Sequence, residues 1–102
     1  MPQERRRARR IAGPFDGTYS GAAGLRDVRI VDVSEDGCFL DAAIPTHPGE
    51  RFSVQLCVDG ERVTLPAEVV YVDRVQGVAV RFVDPSGEAQ IRLKNIIRLL
   101  TI

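Results

Sequence analysis

The chain has 102 residues, of which 44% are hydrophobic and 27% charged. This length and composition are typical of one folded domain with a single core and exclude an intrinsically disordered chain. The formal net charge is zero, which would ordinarily argue against an anionic partner.

The charges are nevertheless distributed unevenly along the chain. Residues 1–10 carry five arginines and one glutamate, so they sum to +4, and residues 11–102, with nine basic and thirteen acidic side chains, sum to −4. Residues 1–14, MPQERRRARRIAGP, show no apolar periodicity and end in Gly13-Pro14, a pair that favours a turn. We therefore predict a flexible arginine-rich arm over residues 1–14 and a folded domain over residues 15–102.

The next segments predict strands joined by turns. Residues 15–25, FDGTYSGAAGL, are rich in glycine and serine, so we expect a short first strand or a mobile loop there. Residues 25–33 alternate apolar and polar with an irregularity near Asp27, which predicts a second strand. Turn chemistry follows at residues 34–37, where we expect Gly37 to take a positive φ, and then a short strand-like run at residues 38–42.

Three further strands are predicted downstream. Residues 51–58 alternate regularly, residues 62–72 and 77–83 are rich in valine, and Asp59-Gly60 is a strong signal for a tight hairpin turn. Pro66 inside its run indicates an edge position or a bulge. Several short antiparallel strands without intervening helices favour a small β-barrel or sandwich.

The chain ends in a predicted amphipathic helix, at about residues 86–100. Its apolar residues recur at helical spacing: Ala89, Leu93, Ile96, Ile97 and Leu100. The simplest architecture is thus mainly β, with one C-terminal helix docked on the barrel. Because no apolar run approaches the about 20 residues of a transmembrane helix and the N-terminus lacks a secretory apolar stretch, we expect a cytoplasmic protein.

The sequence offers no catalytic or metal-binding constellation. His47 is the one histidine and lies in a loop rich in proline and glycine. Cys38 and Cys57 lie on predicted strands without a CxxC spacing or a histidine partner, so we interpret both as small buried hydrophobic residues. We expect no enzymatic activity, no metal and no cofactor.

Two motifs remain, the arginine cluster and the sequence DVSEDG at residues 32–37. An RxxxR sequence followed some twenty residues later by DxSxxG resembles the PilZ domain family, whose members bind the bacterial second messenger cyclic di-GMP. The segments ERRRARRI, RIVDVSEDGCFL and GVAVRFVD and the terminal helix are similar to the family in order and spacing. The family often has a second glycine within the third segment, where Ala79 stands. The resemblance implies a six-stranded antiparallel barrel with a C-terminal helix.

The resemblance also implies the site and the function. The ligand-binding residues would be Arg5, Arg6, Arg10, Asp32, Ser34 and Gly37. Both Arg5/Arg9 and Arg6/Arg10 fit RxxxR, and we favour the second pair because Ile11 then supplies the apolar residue that usually follows it. Arg5 would precede the motif and contact a phosphate.

The expected function is that of a cyclic di-GMP receptor that orders its arm on binding and signals to a protein partner in motility, biofilm or polysaccharide control. Arginine can bond guanine O6 and N7, and a carboxylate can accept from the opposite guanine edge. The alternatives are a nonspecific RNA- or DNA-binding barrel, which the acidic body argues against, and a PilZ-like interaction module without a ligand.

Overall fold

Six antiparallel strands close into a barrel, and one helix packs against it. The computed structural model describes residues 10–100. The elements are β1 (Ile11–Gly21), β2 (Gly24–Val33), β3 (Gly37–Asp41), β4 (Arg51–Val58), β5 (Glu61–Asp73), β6 (Gly77–Phe82) and α1 (Glu88–Leu100). Around the barrel the strands run β1-β2-β3-β6-β5-β4, which confirms the predicted fold class. Over residues 10–100, no helix has the length and apolar character needed to cross a membrane.

The barrel interior is filled by the apolar residues of the alternating strands. In β4, Phe52, Val54, Leu56 and Val58 are all buried, as the alternation predicts. Burying a side chain of this kind contributes about 1.5–3 kcal/mol relative to leaving it exposed. The hydrophobic effect on these inward rows therefore holds the barrel closed.

The glycine- and serine-rich segment is the clearest departure from the prediction. It forms β1, an 11-residue strand that pairs with both β2 and β4. Tyr19 is fully buried, meets Phe52 edge-on with ring centroids 4.6 Å apart, and accepts a hydrogen bond from the Ala23 N–H at 3.0 Å. The segment is thus a long strand that buries one large ring in the core, so a short strand or loop was the wrong expectation.

The folded domain begins earlier than the predicted boundary between residues 14 and 15. Strand β1 begins at Ile11, and Gly13-Pro14 lies inside it, where the pairing with β2 is irregular between Ala12 and Phe15. Residues 11–14 therefore belong to the barrel rather than to the arm. Residues 1–9 of the predicted arm lie outside the described residues.

The turn predictions are confirmed at one position and revised at another. Asp59 and Gly60 both have positive φ, 52° and 81°, as a tight hairpin turn requires. Pro66 shows no bulge; its carbonyl accepts from the Val83 N–H at 3.1 Å, just after β6 ends at Phe82. Proline has no N–H to donate, but Pro66 lies opposite Val83, beyond the end of β6, so no hydrogen bond within the β5–β6 ladder is lost.

Gly37 is required for a different reason from the one predicted. Its φ is not among the positive values of the chain, but a Cβ at this position would collide with the Val80 carbonyl oxygen of β6. Gly37 pairs with Arg81 at the start of the β3–β6 ladder. The glycine therefore permits two backbones to approach closely.

Helix α1 matches its predicted range and docks through Leu93 and Ile97, which are buried. Gln90 is also buried, which the periodicity did not indicate, and its Nε2 donates to the Glu35 carbonyl at 3.0 Å. Leu100, predicted to belong to the apolar face, is exposed. The helix is thus tied by a polar contact to the turn between β2 and β3.

We predict that Gly37→Ala lowers the free energy of unfolding by about 1–3 kcal/mol, the usual cost of inserting atoms into a well-packed interior. Urea unfolding measures this. Gly87→Ala is the matched control, because its Cβ would meet mainly the Asp84 carboxylate, the mobile end of an exposed side chain. Equal losses in the two variants would contradict the backbone collision.

Candidate functional site

Four outward-facing residues lie in one row across four neighbouring strands. Asp32 of β2 pairs with Phe39 of β3, Phe39 with Ala79 of β6, and Ala79 with Tyr71 of β5. We call Asp32, Phe39, Ala79 and Tyr71 the outer row. Strands in a sheet lie roughly 4.8 Å apart, so the row spans about 14 Å. A carboxylate stands at one end and a phenol ring at the other.

Two β-bulges flank this row. In β2 the pairing with β3 shifts between Ile30 and Asp32, and in β5 the pairing with β6 shifts between Val69 and Tyr71. The extra residue in each case, Val31 or Val70, is exposed. The predicted irregularity of the second strand thus lies at Val31 and not near Asp27. Bulges bend a strand and re-aim its side chains, so they shape the outer surface at this point.

A cleft of about 1190 Å³ lies over the outer row. Its apolar lining includes Val31, Phe39, Val70, Tyr71, Val75 and Ala79. Four of the six predicted ligand-binding residues also line it: Arg10, Asp32, Ser34 and Gly37. Arg5 and Arg6 lie outside the described residues. The cleft therefore brings together the second motif and the last arginine of the first.

Arg10 and Asp32 form an ion pair at one end of the cleft. The Arg10 Nη1 donates to Asp32 Oδ1 at 2.6 Å, and the two side chains are 41% and 30% exposed. Water screens a pair this exposed, so it contributes little to stability, typically at most about 1 kcal/mol. Both groups remain accessible for exchange with a ligand.

Ser34 organises the turn that closes this end of the site. It is buried, its N–H donates to the Gly37 carbonyl at 2.8 Å, and its Oγ accepts from the Asp36 N–H at 3.2 Å and contacts the Gly37 carbonyl at 3.4 Å. The hydroxyl is thus engaged within the turn in this structure. Its contribution to a site is to fix the turn that joins Asp32, near the end of β2, to Gly37, at the start of β3.

The described part of the cleft does not have the charge needed for an anion. Among the lining residues within 10–100, Arg10 and Arg81 are positive while Asp32, Asp36 and Asp41 are negative, a sum of −1. Arg81 is also held by Glu68 at 2.7 Å. A dianion would therefore need further positive charge, and the arginines before residue 10 are the nearest source in the sequence.

Cys38 lies in the cleft wall but is buried. Burial, with a smaller contribution from the nearby Asp32 carboxylate, raises the pKa of its thiol far above the usual range. This supports its interpretation as a small hydrophobic residue. Within residues 10–100 there is no cluster of three or more His, Cys, Asp or Glu that could hold a metal ion.

The motifs did not indicate Phe39, Tyr71 or Arg81, although all three line the cleft. Phe39 carried a signal, because the outward position between buried Cys38 and Leu40 is occupied by a large apolar side chain. Tyr71 carried none, because the bulge beside it breaks the alternation on which such a prediction depends.

The family model for the PilZ domain matches residues 4–99. The fold is similar to that of the Bacillus subtilis inhibitor of motility MotI/DgrA, at 15% identity and a TM-score of 0.77, covering 97% of this chain and 53% of that one. It is also similar to that of Escherichia coli YcgR in complex with c-di-GMP, at 24% identity and a TM-score of 0.76. The match covers 96% of this chain and 46% of that one.

The separate PilZ domain of YcgR with c-di-GMP gives 21% identity and a TM-score of 0.74, covering 96% of this chain and 92% of that one. The chain thus spans about half the length of MotI/DgrA and of the longer YcgR structure. At these identities the likeness concerns the fold. No curated protein sequence matches the chain.

We predict that the two cysteines differ sharply in reactivity. In a Cys57→Ser variant, Cys38 should react with a disulfide reagent at pH 8 only as fast as the barrel opens, because it is buried and its thiol pKa is raised. In the matched Cys38→Ala variant, the partly exposed Cys57 should react faster. Equal rates would contradict the burial of Cys38.

Proposed function

This chain belongs to the PilZ domain family, as the match over residues 4–99 shows, and from this premise we propose that it is a cyclic di-GMP receptor without catalytic activity. The observation that carries the proposal is the Arg10–Asp32 pair at the end of the cleft, with Gly37 in the same lining. Support also comes from the two YcgR structures that contain c-di-GMP and share this fold.

The paired groups suit the edges of a guanine base. A guanidinium can donate two bonds to O6 and N7, and a carboxylate can accept from N1–H and N2–H on the other edge. In the proposed mechanism Arg10 and Asp32 neutralise each other without ligand and turn to the base when it enters. Their exposure keeps the cost of this exchange low.

The two phosphates of the ligand require the arginines that precede residue 10. The charges of the described lining residues sum to −1. Arg10 and Arg81 alone therefore do not balance the two negative charges of the ligand. In the proposal Arg6 contacts the ligand together with Arg10, and Arg5 contacts a phosphate. Closing this segment over the cleft would change the surface offered to a protein partner in motility, biofilm or polysaccharide control.

We predict that the unmodified chain binds cyclic di-GMP in isothermal titration and that Arg10→Ala and Asp32→Ala each weaken binding by about 1–3 kcal/mol. Arg92→Ala is the matched control, because Arg92 pairs with Glu61 on another part of the surface. Absence of heat at high ligand concentration would overturn the proposal. Binding of single-stranded RNA that weakens steeply with salt would favour the nucleic-acid alternative instead.

A second prediction tests the register of RxxxR. If Arg6 and Arg10 form the motif, Arg6→Ala should weaken cyclic di-GMP binding about tenfold or more, while Arg9→Ala should change it less than threefold. Each variant removes one positive charge from the same segment, so the comparison isolates position from total charge. The reverse order would assign the motif to Arg5 and Arg9.

A further inference from the structure

We propose that a guanine of the bound dinucleotide stacks on a floor formed by Phe39, Ala79 and Tyr71, and this inference rests on the proposed function. These three residues are the part of the outer row beyond Asp32, and all of them line the cleft. The floor would hold the face of a base, whereas Arg10 and Asp32 hold base edges.

The two aromatic rings approach each other across Ala79. Their centroids are 6.4 Å apart and their planes are inclined at 45°, although a whole strand, β6, separates β3 from β5. The methyl group of Ala79 leaves the rings room to lean inwards. The result is a continuous apolar surface about as wide as a purine.

The floor is open to solvent at Tyr71, while Phe39 is half-buried. Tyr71 is 52% exposed, and Val75, at the edge of the cleft in the β5–β6 turn, is 92% exposed. Neither belongs to the core cluster. Exposed aromatic residues on the strands of a small barrel are suited to stack on nucleobases, whose faces are apolar and whose edges are polar.

The cleft is large for a small-molecule site. Pockets for drug-sized ligands typically have volumes of about 300–1,000 Å³, and this cleft, at about 1190 Å³, lies above that range. Asp32 and Tyr71 are three strands apart in the row, a distance of about 14 Å. A ligand with two bases can therefore use the ion pair and the floor at once.

The floor also explains why position 79 must be small. A glycine or alanine there leaves the space between the rings open, whereas a larger side chain would fill it and lift the base from Phe39 and Tyr71. Ala79 is half-buried between the two rings. Its size therefore acts on the ligand rather than on the barrel core.

The test is the titration of cyclic di-GMP into four variants of the full chain. Tyr71→Ala should weaken binding roughly ten- to hundredfold, the usual effect of removing a stacking side chain, and Tyr71→Phe should retain binding within about threefold because it keeps the ring. Ala79→Leu should weaken binding at least tenfold. Leu25→Ala, which removes another exposed apolar side chain far from the cleft, should have no effect.

NMR gives a readout that does not depend on variant stability. In the unmodified complex, a nuclear Overhauser effect between guanine H8 and the Ala79 methyl or a ring proton of Phe39 or Tyr71 would support the inference. Binding with no such contact, or with Tyr71→Ala at full affinity, would overturn the floor but not the receptor. Failure of the unmodified chain to bind would overturn both.

Discussion

The pairing of β3 with β6 is the interaction on which the site depends. It joins the hairpin that carries the DxSxxG motif to the hairpin that carries GVAVRF, through the register of residues 37–40 with 78–81. The close approach is possible because Gly37 has no side chain to meet the Val80 carbonyl. On the inner side this ladder contributes buried Leu40 and Val78 to the core. On the outer side it sets Phe39 beside Ala79, so one set of backbone bonds supports both the core and the cleft.

The zero net charge of the chain conceals an uneven distribution of charge along the sequence. The described lining is slightly negative, and both of its arginines are already paired, Arg10 with Asp32 and Arg81 with Glu68. A net negative lining disfavours long polyanions, which need positive charge along an extended surface. The excess positive charge of the chain lies in residues 1–10, and in the proposed receptor these arginines supply the charge that the lining lacks.

The sequence allowed most of the fold to be predicted, because alternation in β4 and helical spacing in α1 report directly on which side chains are buried. It failed for β1, where one buried tyrosine, Tyr19, takes the place of a regular apolar pattern. The motif residues that line the cleft, Arg10, Asp32, Ser34 and Gly37, could be read from the chain. Tyr71, which also lines it, could not, since the bulge before it breaks the period. Gln90 was missed for another reason: a buried amide is explained only by its partner, the carbonyl of Glu35, 55 residues away.

The position of the outer row in the chain has a consequence for folding. Asp32 and Phe39 belong to one hairpin and Tyr71 and Ala79 to the other, and each hairpin is closed by its own short turn. The halves meet only when residues about forty positions apart in sequence pair. Contacts of such separation form late and slowly, because the intervening chain loses much of its conformational entropy first. Neither hairpin by itself holds the whole outer row, so under the proposed function a nascent or partly unfolded chain would not compete with the finished barrel for cyclic di-GMP.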